Sequence, residues 1–175
     1  MERTMLAGRR LLGTLVLSLG LCALHTPAFA QAAPPVPAKI GEAAGTLQAG
    51  KASVELKYAY ALAQDDAYHV MLTDAPVPAD MLARELKLGG GQTMLRQKKA
   101  SGVFMIVAKD GFVRTLIPFV GDDLRGGSSM ASVGRLDSFA ATPSAATGQG
   151  QRALAQTMGQ GWSYGASFNA ALVKP

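Results

Sequence analysis

The chain has 175 residues, 49% hydrophobic and 17% charged, with a formal net charge of +5 and a mean hydropathy of +0.17. That content is too apolar for intrinsic disorder, and the length suits one ordinary domain rather than two large ones. A single cysteine excludes an intrachain disulfide and a cysteine-built metal cage.

Residues 1–30 read as an export signal. Arg3, Arg9 and Arg10 form a basic start, Leu11 to Leu24 an apolar run, and Ala28-Phe29-Ala30 a small-residue cleavage site after Pro27. A helix of that apolar length reaches about 21 Å, short of a bilayer core of about 30 Å, so no stable membrane span is expected after cleavage. Lipid attachment at Cys22 is the alternative, but Leu21 stands where a small residue is needed. Cleavage removes three of the 17 basic and one of the 12 acidic residues, leaving a net charge of +3. The mature chain then begins at Gln31, holds no cysteine, and keeps His69 as its single histidine. The expected location is periplasmic or secreted.

Residues 31–44, QAAPPVPAKIGEAA, read as a proline- and alanine-rich linker ahead of one β-rich domain over 45–175. Residues 52–63 alternate, with Val54, Leu56, Tyr58, Tyr60 and Leu62 expected on one buried face. After the polar turn Gln64-Asp65-Asp66, a second strand over 67–73 carries Tyr68, Val70 and Leu72 inward. Pro78 suits a helix start, and 79–88 fits a short helix burying Met81, Leu82 and Leu86, stopped by Gly89-Gly90-Gly91.

The spacing over 92–99 fits a helical piece or a loop equally. Val103 to Val107 is a strand covered on both faces, joined by an Asp110-Gly111 turn to a strand over 112–119. Residues 121–132 and 141–150 read as loops, 133–140 as a strand, and 151–158 as a helical turn or two. Alternation over 162–172 predicts a long closing strand. The fold class is mainly β: an antiparallel β-sandwich or open barrel with one short inserted helix.

Few motifs carry chemistry. Gly45 to Lys51 has the glycine and lysine spacing of a phosphate-binding loop. Ala52 stands where Ser or Thr would hold Mg²⁺, and the flanking residues alternate as strands, so a strand, a turn and a second strand is the reading. His69 is the one candidate base for a Ser or Cys nucleophile, and no Gly-x-Ser-x-Gly elbow accompanies it. One mature histidine cannot supply a zinc site. Asp65-Asp66 and Asp122-Asp123 are candidate oxygen donors outside any EF-hand spacing. Arg96, Lys98 and Lys99 form a basic cluster without interleaved aromatics, a poor nucleic-acid footprint.

Gly45-x-Leu47, Tyr58-Ala59-Tyr60-Ala61, Leu72-Thr73-Asp74-x-Pro76 and Phe168-Asn169-Ala170-x-Leu172-Val173 together resemble small exported bacterial proteins of unknown function. The resemblance implies a single secreted β domain and no activity.

These readings converge on an exported, non-enzymatic envelope domain that binds an envelope protein or ligand, with no cofactor and no nucleic-acid partner. Its candidate surface residues are His69, Asp65, Asp66, Asp122 and Asp123, and its expected contact surfaces are the two loops. The alternatives are a small histidine-independent hydrolase, or a partner or inhibitor acting through an exposed edge strand.

Overall fold

The computed structural model describes residues 33–88, 97, 99–120, 134–157 and 160–174. In them the alternating stretches become strands β1 (Glu42–Ala49), β2 (Ala52–Gln64) and β3 (Ala67–Thr73). Helix α1 (Ala79–Leu88) comes next, then β4 (Gly102–Ala108), β5 (Phe112–Phe119) and β6 (Gly134–Arg135). The chain ends with β7 (Ser138–Ala141), β8 (Ala145–Thr157) and β9 (Gln160–Leu172).

All of these strands join one curled sheet in the order β6-β5-β4-β3-β2-β1-β9-β8-β7, a half-barrel. Neighbours pair antiparallel, apart from a short parallel contact of Tyr60 and Ala61 with Ala171 and Leu172. Of the two expected architectures it is the open barrel that forms.

The curl brings the two sheet edges together at one end. β6 pairs with β5 through Phe112↔Arg135 and Val113↔Gly134, while β7 pairs with β8 from Ser138↔Gln149 to Ala141↔Ala146. Only Leu136 and Asp137 separate β6 from β7, so one segment stitches both edges. The strand expected over 133–140 is therefore two short strands with a kink between them. Phe139 reaches inward and meets Tyr68 of β3 edge-on, with ring centroids 5.5 Å apart.

Each face of the sheet has its own core. The concave face is filled by Leu47, Leu56, Val70, Leu72, Met105, Leu116 and Phe168, all at most 1% exposed. On the convex face Leu62, Met71, Phe104 and Phe119 meet Met81, Leu82 and Leu86 of α1. The helix forms where the apolar residues recur at helical spacing. Asp80 stands in its first turn and Lys87 in its last, both matched to the helix dipole. β4 is accordingly covered on both sides: Val103, Met105 and Val107 look into the curl, and Phe104 looks at the helix.

Several expectations need correction. β2 does not keep one apolar face. Val54 and Leu56 belong to the inner cluster, but beyond Tyr58 it is Ala59 and Ala61 that point inward, while Tyr60 and Leu62 pack under α1. The pairing register of β1 with β2 shifts at this place, between Glu42 and Gly45. An irregularity of this kind bends a strand and exchanges its faces.

Residues 145–150, expected as loop, and 151–157, expected as helical, form the single long strand β8. The glycines that suggest a loop are there for space. A Cβ on Gly148 would lie 2.5 Å from the Phe168 ring, and one on Gly150 2.7 Å from Leu136. The turn after β4 is a three-residue loop, Lys109 to Gly111, with Gly111 at φ +85°. The expectations for 89–96 and 121–132 lie outside the described residues, save that 97 and 99 fall in a turn and a bend.

The proline-rich stretch read as a linker is docked. Residues 33–38 run without regular structure across the convex face of β8 and β9, and β1 begins at Glu42, inside the span assigned to the linker.

Candidate functional site

The convex face carries two coverings. α1 packs over β2 and β3, and the 33–38 strap lies over β8 and β9. β1 lies between them in the sheet, and there a groove of about 610 Å³ opens. Its floor is shallow because Ala44 of β1 and Gly165 of β9 offer almost no side chain at that level. Strict alternation from the buried Leu47 places Glu42, Ala44 and Thr46 on this outer face.

The groove is polar. Glu42 pairs with Lys39 at 3.3 Å, and Glu55 with Lys57 at 3.0 Å. The Glu55 carboxylate holds the Lys57 ammonium above its usual range, through their hydrogen bond and their charge attraction. Half-buried Tyr58 and Pro34 supply apolar surface beside these pairs. The result is a surface of alternating charge that matches a polar ligand bearing both signs, or an extended polypeptide. It carries no single strong field.

Of the residues singled out in the sequence, the described ones sit on β3 and in the β2–β3 turn. His69 lies half-buried on the convex face of β3, where its Nδ1 donates to the carbonyl of Leu86, 2.6 Å away in the last turn of α1. Its ring stands edge-on to Phe104, with centroids 5.6 Å apart. That bond holds the helix end to the sheet.

Asp65 and Asp66 occupy the β2–β3 turn, just beyond the Gln64↔Ala67 pair that closes the ladder, and Asp65 takes a left-handed φ of 53°. Asp66 accepts two bonds from Arg114, at 2.9 and 2.5 Å. Beside it Asp110 accepts from Arg135 at 2.8 Å and from the Phe112 amide at 3.0 Å. Asp122 and Asp123 lie outside the described residues, as do Arg96 and Lys98. Among the described residues no three His, Cys, Asp or Glu side chains converge, and no helix is long and apolar enough to cross a membrane. The segment Gly45 to Lys51 is the second half of β1 and its turn, with β2 beginning at Ala52.

The two ion pairs give a pH prediction. Bonds from Arg114 depress the Asp66 carboxyl, and the Phe112 amide, with Arg135, depresses that of Asp110. A carboxyl lowered in the folded state adds stability above its ordinary range, and that contribution is lost as pH falls through the depressed value. Both groups are solvent-exposed, so the effect is small and screened by salt. In urea titrations at low salt, the midpoint is expected to drop less between pH 7 and pH 3 in an Asp66→Asn, Asp110→Asn double variant than in the native chain. Equal drops at low salt would show the pairs to be without effect.

No family model, curated protein or solved structure matches the chain.

The groove has no counterpart among the sequence candidates. Its signal is faint: a two-residue Glu-x-Lys spacing on the outward positions of β2, and small residues on the outward positions of β1 and β9.

Proposed function

We propose that the chain is an exported, non-enzymatic β domain of the bacterial envelope that binds another envelope component through the convex-face groove. The observation that carries this reading is the groove itself, with two charge pairs and Tyr58 set between strap and helix on a rigid sheet. Both cores are filled with hydrocarbon, so ligand recognition falls to the surface. The signal-like residues 1–30 support export, and loss of that segment leaves the strap close to the new N-terminus.

The test is crosslinking from the groove in a bacterium that exports the full chain. A photoreactive residue at Thr46 is expected to trap a discrete partner from the envelope fraction, on a chain whose mass begins at Gln31. Lys57→Glu combined with Tyr58→Ala should reduce that product about tenfold or more, on the scale of losing one well-placed contact set. A product that the double variant leaves unchanged, or no product from a correctly exported chain, would refute the reading.

A further inference from the structure

We propose that the convex face of β8 and β9 is a binding site for extended proline-rich peptides, which the chain's own strap occupies in cis. This face adjoins the groove, which it meets at Gly165 and Pro34, but its donors Gln149, Ser167 and Asn169 lie outside the groove's lining, and the inference stands without the function proposed above.

The chemistry starts with the strap. Ala33-Pro34-Pro35-Val36-Pro37-Ala38 contains three prolines, each lacking an N–H. Such a segment offers its surroundings mostly carbonyl oxygens. The sheet presents three outward donors to match. Gln149 and Ser167 are cross-strand partners, and Asn169 stands two residues further along β9.

Gln149 Nε2 donates to the carbonyls of Ala33 and Pro34, each at 3.0 Å. Ser167 Oγ donates to Pro35 at 2.7 Å, and Asn169 Nδ2 to Pro37 and Ala38 at 3.2 and 3.3 Å. Five carbonyls of the six residues are thus read by three side chains, and each of these bonds runs from sheet to strap.

Burial follows the same logic. Pro34 and Pro37 are half-buried, while Pro35 and Val36 between them are exposed. A spacing of three is the repeat of the polyproline II helix, which carries no internal hydrogen bonds and leaves its carbonyls free. Ser167 is fully buried beneath the strap. A face that reads carbonyls and a proline at every third position recognises a backbone shape more than a side-chain sequence.

The strap leaves one demand unmet. Asn169 Oδ1 is buried and has no hydrogen-bond partner, in a stretch where Pro37 has no N–H to give. A peptide with an N–H at that point would satisfy it, so the strap is not the best ligand for the face that holds it.

The first test replaces residues 33–38 by glycine and serine in the otherwise full chain and titrates it with a labelled peptide, Ala-Ala-Pro-Pro-Val-Pro-Ala. Saturable binding is expected, at least about tenfold tighter than to the native chain, whose tethered strap competes at an effective concentration on the order of millimolar. Adding Gln149→Ala and Asn169→Ala should remove it. A folded strap-replaced chain that binds no peptide, binds it no better than the native chain does, or binds it equally after loss of both amides would overturn the proposal.

Should the replaced chain not fold, the native chain decides. Excess peptide should displace the strap and speed tryptic cleavage after Lys39, and a peptide with alanine at all three prolines should not. No acceleration, or equal acceleration by both peptides, overturns the proposal.

Discussion

Replacing Gly45 by alanine is expected to abolish folding at ambient temperature or to lower stability by about 3 kcal/mol or more, as a urea titration would show. Gly45 sits in the middle of β1, paired with Leu56 on one side and Ala166 on the other. Its φ of +142° lies where an L side chain is strained. An added Cβ would also lie 2.2 Å from the carbonyl oxygen of Gly165 and 2.6 Å from the Cα of Ala166. Both are backbone atoms of β9, so no rotamer change can make room. Either β1 or β9 would have to move, and with them the floor of the groove. Ala44→Ser, one residue away on the outer face, should leave the midpoint nearly unchanged. A Gly45→Ala chain with native stability would contradict the close approach of β1 to β9.

Phe104→Ala is expected to cost about 3–5 kcal/mol, the range for emptying a buried aromatic site. Phe104 is fully buried in the outer core and lies against the ring of His69. Truncation would leave a hole beneath α1 at the place where His69 holds the Leu86 carbonyl. The loss should therefore be uneven. Amide exchange in α1 is expected to accelerate more than exchange in β9, because the inner core that braces β9 is a different cluster. Uniform acceleration throughout the sheet would argue that the two cores fail as one unit.

The strands were legible where inward side chains recur at every second position, even with Met71 and Ser167 buried on the opposite face. Val70 and Leu72 in β3, and Tyr164, Ala166, Phe168 and Ala170 in β9, sort onto the inner face as their spacing requires. The helix was legible for the matching reason, since Met81, Leu82 and Leu86 recur at its own period and are buried together.

Local pattern fails where size and polarity stop marking a face. In β2 small alanines take the inner positions beyond Tyr58, so the large residues that suggested one continuous apolar face turn outward to the helix. In β8 the glycines resembled a loop, because nothing local reveals that the Phe168 ring and Leu136 need the missing Cβ atoms. His69 offered a possible catalytic base by its type, and its bond to Leu86 joins residues 17 apart in the chain.

By itself the sequence determined the local periods, and hence a β-rich chain with one short helix, together with the polar outward row Ser163, Gly165, Ser167 and Asn169 on β9. Only the tertiary structure decided that this row would be covered, and that a stretch resembling a linker would cover it. Gln149, Ser167 and Asn169 meet a segment 115 to 132 residues away. Periodicity reports which side of an element avoids water; it carries no information about which distant backbone will arrive to accept a hydrogen bond.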